Sequence, residues 1–164
     1  DDNEQISIFH LDTSVTLFEK LADLGGPALL SALSKIESGT AVASAQDDQQ
    51  STYAHKIDKS EAQVNWSDEA TVIAQKIRAF NPFPVAYTQL GDTRIKVWTA
   101  QVLESSAMGE PGSILESGPE GLLIQCGHGR LLISEIQLAG KSRMAVSEIL
   151  KSRANLFAKG TRFA

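Results

Sequence analysis

A single cysteine, Cys126, stands among the 164 residues. One thiol cannot close an internal disulfide or build a cysteine-rich zinc cluster, so both of those scaffolds are excluded. A reducing, cytoplasmic setting fits that usage. No apolar run approaches the roughly 20 residues of a membrane-spanning helix, and no membrane partner is expected. The opening Asp1-Asp2-Asn3-Glu4 is the opposite of a basic signal-peptide start. The three histidines, His10, His55 and His128, are far apart, and none belongs to a His-x-x-x-His ligand pair. No metal is therefore expected. A glycine-rich phosphate loop, a Gly-x-Ser-x-Gly elbow and internal repeats are also missing. What remains, with 42% apolar and 21% charged residues, has the composition of a globular protein.

Charge is unevenly placed. Residues 1–69 carry 4 Lys/Arg against 13 Asp/Glu, and residues 70–164 carry 11 against 7. The net charge of -5 thus hides a basic second half. From Leu138 onward Lys141, Arg143, Lys151, Arg153, Lys159 and Arg162 face Glu148 alone. Such a tail is either a solvated surface or a polyanion site.

Apolar spacing predicts helix over residues 14–38, with Leu17, Leu21 and Leu24 and then Leu29, Leu33 and Ile36 in register. Gly25-Gly26-Pro27 predicts a break into two helices. Asp12, Thr13 and Ser14 offer N-caps. Residues 39–52 have little to bury and read as a linker. A further helix is predicted over 67–80, capped by Ser67, with Val72, Ile73, Ile77 and Phe80 inward. Asn81-Pro82-Phe83-Pro84 stops it, because a residue before proline is pushed out of helical geometry. Strands are predicted at Val85–Leu90, Arg94–Leu103, Gly112–Glu116, Gly121–Gln125 and Arg130–Leu138, divided by glycine-rich turns. Five short strands are the count of an OB-like barrel. A last helix is predicted over 145–157, without a good N-cap at Ala145.

Two groupings could carry chemistry. Cys126 and His128 lie two apart at a strand end, as a nucleophile and its base can, or as a buried thiol beside a solvated turn histidine. Arg94, Lys96 and Trp98 alternate with Ile95 and Val97, which puts two cations and an indole on one strand face. Such a face suits a nucleic acid, unless Trp98 turns inward at a bulge and the cations are merely solvated. Lys151 and Arg153 diverge by roughly 200° on a helix and form no patch by themselves.

The string Arg78-Ala79-Phe80-Asn81-Pro82-Phe83-Pro84 resembles the methionyl-tRNA formyltransferase family. Upstream, Tyr53-Ala54-His55-Lys56-Ile57 with Lys59, Glu61 and Trp66 is similar to that family's linker motif. Downstream, Lys96-Val97-Trp98, Pro111-Gly112-Ser113-Ile114, Gln137-Leu138-Ala139-Gly140-Lys141 and Ser152-Arg153 recur at matching intervals. Asp12-Thr13-Ser14 through Lys20-Leu21-Ala22 resembles the last helical segment of the family's catalytic domain.

The resemblance implies a division into 1–38, a helical remnant of a Rossmann-like catalytic domain; 39–60, a linker; and 61–164, an OB-like C-terminal domain. The family's catalytic signature, Asn-x-His followed by Ser-Leu-Leu-Pro, does not occur here. The expectation is therefore a fragment with no catalytic residue and no cofactor of its own, inactive alone. Its full-length form would transfer the formyl group of 10-formyltetrahydrofolate to the amino group of methionyl initiator tRNA. The implied partners are that tRNA and the catalytic N-terminal domain. By the same resemblance Lys56, Lys59, Arg78, Arg94, Lys96, Lys141, Arg143, Lys151 and Arg153 are the expected tRNA contacts, and Trp66, Phe80, Phe83 and Trp98 are packing residues. The alternative is a structural domain of a sugar-nucleotide formyltransferase or a formyl-folate hydrolase, with no tRNA partner.

Overall fold

The computed structural model describes residues 4–164. The chain divides into two units, Asp1–Ile57 and Asp58–Ala164.

The first unit is dominated by helix α1, Ser14–Glu37. Thr13 caps it: its hydroxyl accepts from the Thr16 amide at 3.4 Å, and its own amide donates to the Thr16 hydroxyl at 3.0 Å. Lys20 donates to both Asp12 oxygens, at 2.7 and 2.8 Å. That contact, with the Phe9 amide, holds the Asp12 carboxyl at about 2. The expected break at Gly25-Gly26-Pro27 does not occur, and the helix runs through it. Proline withdraws one backbone donor, but the residue before it is a glycine without the Cβ that normally clashes with the proline ring. No residue of α1 is buried, and Phe18, Leu21, Leu29, Leu33 and Ile36 stay exposed along one side.

The second unit is an antiparallel sheet packed with two helices. Its strands are β1 (Tyr87–Leu90), β2 (Thr93–Leu103), β3 (Ile114–Gly118), β4 (Gly121–Gln125), β5 (Arg130–Leu138) and the two-residue β6 (Met144–Ala145). They lie in the order β1-β2-β5-β4-β3, with β6 on β5. The inward residues of β2 and β5, Ile95, Val97, Leu131, Ile133 and Ile136, are at most 1% exposed. Onto them pack Ile73 and Ile77 of α2 (Ala70–Ala79) and Val146 and Ile149 of α3 (Val146–Arg153).

The five strands expected to form an OB-like barrel do not close into one. β1 and β3, of four and five residues, do not pair with each other. The C-terminal segment fills the gap between these edges with separate backbone bonds. Ala164 and Gln89 exchange amide bonds at 2.9 and 3.3 Å, Phe163 donates to the Gly112 carbonyl at 2.9 Å, and Ile114 donates to Thr161 at 2.8 Å. Edge strands need such partners for their amides. Phe163 is thereby seated on Trp66, with ring centroids 5.6 Å apart, and near Phe157 at 6.4 Å. Gly112 is required here: its φ is +86°, and a Cβ would stand 2.4 Å from the Phe163 carbonyl oxygen.

Other expectations shift locally. α2 begins at Ala70, and Ser67 does not cap it. The Ala70 amide donates instead to the carbonyl of His128, in the β4–β5 turn, at 2.9 Å. That turn comes so close that a Cβ on Gly127 would lie 1.9 Å from the Ser67 carbonyl oxygen. Ala70 and Ala74 join Ile73 and Ile77 inward at i, i+3, i+4 and i+7 spacing, while Val72 falls off that stripe and is exposed, and Phe80, at the C-cap, is half-buried. Phe83 is exposed rather than packed, since the Asn81–Pro84 turn carries it off the helix end. The last helix ends at Arg153 and tightens to a 3-10 turn, Ala154–Phe157. Ala145 gives it no side-chain cap, as expected.

Candidate nucleic-acid interface

The outer face of β2 carries the alternating cations. Ile95 and Val97 point inward, so Arg94, Lys96 and Trp98 point outward. The β2–β5 register slips twice, between Val97 and Thr99 and between Thr99 and Ala100. Trp98 therefore sits at a bulge, but it does not turn into the core. Its indole N–H donates to Gln137 Oε1 at 3.1 Å, and the Arg143 guanidinium lies over its ring at 4.7 Å.

The neighbouring strands complete the face. Lys96 is registered between Tyr87 on β1 and Gln137 on β5. Arg94 stacks over the Tyr87 ring at 4.0 Å. Gln137 also donates to the Lys141 carbonyl at 2.8 Å, tying the β5–β6 turn to this surface. Both aromatic rings are thus already covered by guanidiniums. The guanidinium over each ring occupies one stacking position for a base and holds its own N–H groups where a phosphate could meet them. This arrangement suits a backbone and reads little sequence.

One carboxylate lies within the basic face. Glu135 pairs with Arg143 and accepts from the Thr99 hydroxyl at 2.8 Å. The Arg143 hydrogen bond is the main cause of its lowered pKa. The pair's contribution to stability is therefore present above the ordinary carboxylate pKa and lost as pH falls through the lower folded value. Any phosphate that binds Arg143 must compete with Glu135. Glu135→Gln is expected to tighten RNA binding about threefold and to steepen its salt dependence by up to about 0.9 in log–log slope. An unchanged slope in an anisotropy titration would remove Arg143 from the interface.

The structure groups the nine expected contact residues unequally. Arg94, Lys96 and Arg143 share the sheet face. Lys141 and Arg153 line a separate cleft beside it. Lys151 holds Glu148 at 2.8 Å. Arg78, half-buried in the last turn of α2, complements the negative end of that helix. Lys59 is exposed in the 3-10 turn Lys59–Ala62, and Lys56 belongs to the first unit. Apart from Arg143 and Lys151, none of the nine makes an ion pair among the described residues. Sequence reasoning missed Tyr87, Gln137 and Glu135, whose places depend on cross-strand register.

No catalytic pair forms at Cys126 and His128. The thiol is fully buried, and burial pushes it up to about 12, while His128 is exposed. Among the described residues no group of His, Cys, Asp and Glu could hold a metal ion. No helix among them is long and apolar enough to cross a membrane.

Residues 56–154 match the family described as "Formyl transferase, C-terminal domain". The fold is also shared with solved structures of HypX from Aquifex aeolicus. A multiply substituted HypX variant aligns with a TM-score of 0.70 and 16% identity, over 95% of this chain and 28% of that one. HypX in complex with tetrahydrofolic acid aligns with a TM-score of 0.66 and 17% identity, over 88% of this chain and 26% of that one. This chain thus spans about a quarter of the HypX chains it matches.

Proposed function

The chain belongs to the formyl transferase C-terminal domain family, and from that premise we propose that its second unit is the tRNA-docking domain of a methionyl-tRNA formyltransferase. The parent enzyme, in a cytoplasmic setting, transfers the formyl group of 10-formyltetrahydrofolate to the amino group of methionyl initiator tRNA. The observation that carries this reading is the outer sheet face, where Arg94 and Lys96 lie beside Arg143 and make no ion pair among the described residues. The Arg78–Pro84 string and the linker motif support the tRNA enzyme over its relatives. Chemistry belongs to a catalytic domain, and the exposed apolar side of α1 is a surface for that domain to cover.

Docking of this kind is electrostatic. Phosphate contacts release counterions, so affinity falls steeply with salt and differs little between tRNAs. The test is a fluorescence-anisotropy titration with initiator and elongator tRNA at two salt concentrations. Similar, strongly salt-dependent binding of both supports the proposal. No binding even at low salt overturns it in favour of a second reading, a structural domain of another folate-dependent formyltransferase. The likeness in fold to HypX, whose tetrahydrofolic acid complex is among the matches, favours that alternative.

A further inference from the structure

Arg130 opens β5, and no other Lys or Arg occurs between Lys96 and Lys141. It leaves the outer side of the strand, since Leu131 beside it is in the core. Cross-strand register places it between Leu103 on β2 and Gln125 on β4. Arg130 is half-buried, and its Nε is fully buried with no hydrogen-bond partner. Its guanidinium makes no ion pair among the described residues. The chain between Lys96 and Lys141 also holds five carboxylates, those of Glu104, Glu110, Glu116, Glu120 and Glu135, yet none pairs with it. Glu110 is held by Arg162 and Glu135 by Arg143. Gln125 does not help either: it is buried, and its Nε2 donates to the carbonyls of Cys126 at 2.9 Å and Gly129 at 3.3 Å.

A guanidinium is always charged and offers N–H donors only. Drawing it partly out of water without an acceptor costs free energy, so a group in this state calls for a partner from outside. We propose that Arg130 anchors one carboxylate of a protein partner, an Asp or Glu side chain carried on an apolar surface. Its Nε and one Nη form the fork that a carboxylate meets with two oxygens. The flanks are apolar. Leu103 and Leu132 are half-buried on the same outer side, and Leu123 lies opposite Leu132 on β4. An arginine among such neighbours has the character of an interface anchor. Charge argues against RNA here. Arg130 stands alone beside the exposed Glu104, Glu116 and Glu120, which repel a polyanion but spare a single paired carboxylate. Gln137, at the edge of the basic face, is seven residues further along β5, about 23 Å away. The site is therefore separate from the surface assigned to tRNA.

The test follows the Nε–H resonance of Arg130 in the ¹⁵N-labelled full chain, assigned by its loss in Arg130→Met. Acetate, inorganic phosphate and the capped peptide acetyl-Leu-Glu-Leu-amide are titrated in turn. The peptide is expected to shift that resonance saturably, to bind at least about threefold more tightly than acetate, and to raise the melting temperature of the parent but not of Arg130→Met. Without added anion, Arg130→Met is expected to melt about 4 °C higher than the parent, because it keeps the stem and removes an unpaired charge. No saturable shift, or a variant that melts no higher than the parent, overturns the anchor. Phosphate binding more tightly than the peptide, or acetate binding as tightly, overturns the protein partner in favour of a phosphate or a free acid. Arg130→Met is expected to leave the log–log salt slope of tRNA binding unchanged. A fall of about 0.9, the value of one phosphate contact, assigns Arg130 to RNA and overturns the proposal. The peptide arm uses no tRNA, so a parent chain that binds the peptide but no tRNA defeats only the tRNA reading.

Discussion

The double reversal Arg94→Glu with Lys96→Glu is expected to lower tRNA affinity at least 100-fold at low salt and to reduce the log–log salt slope by about 1.8. Each lost phosphate contact removes about 0.9 from the slope, and the introduced carboxylates add repulsion. The fold tolerates the change because both side chains leave the outer side of β2, while Ile95 and Val97 keep their buried places between them. Arg94 gives up its stacking on Tyr87, a contact of about 0.5–1 kcal/mol at an exposed site. Thermal unfolding should therefore shift only slightly. A folded double variant that still binds tRNA with the parent affinity would remove this face from the function.

The second large effect concerns stability. Phe163→Ala is expected to destabilise the second unit by about 3–5 kcal/mol, the usual cost of truncating a buried phenylalanine. Phe163 is 2% exposed, stacks on Trp66 at 5.6 Å and anchors the segment that lies between β1 and β3. Losing the ring empties the site beneath Trp66 and loosens the segment that supplies partners to both sheet edges. The buried chain from Trp66 Nε1 to the Thr88 hydroxyl (2.9 Å), and on to the Ala164 carbonyl (2.9 Å), depends on the same placement. Domains of this size are stable by about 5–15 kcal/mol, so the melting temperature should fall by more than about 10 °C. Denaturation by urea gives the free energy directly. A loss under about 1 kcal/mol would mean that the C-terminal segment is an ornament on a self-sufficient sheet.

These two variants also separate what can be read locally from what cannot. The exposure of Arg94 and Lys96 follows from alternation, because a strand with Ile95 and Val97 inward has no other side for them. The stop after α2 follows from Asn81-Pro82, and the divergence of Lys151 from Arg153 follows from the helical angle. All of these depend on near neighbours along the chain. By contrast, Gly25-Gly26-Pro27 carries a break signal that the helix overrides, and Ser67 carries a cap signal that the His128 carbonyl makes unnecessary.

The amino-acid sequence by itself placed the five longer strands and the two helices of the second unit to within a few residues, but not the two-residue β6. It also determined the sidedness of that unit's cations and its resemblance to a formyltransferase C-terminal domain, since periodicity and motif strings are local. Tertiary structure alone decided that the sheet stays open and takes the C-terminal segment between its edges. It also decided that guanidiniums cover Trp98 and Tyr87, that Glu135 holds Arg143, and that Lys141 meets Arg153 across a cleft. Each of those depends on residues distant along the chain. Their meeting is set by strand register and helix docking, which the burial of one shared core selects.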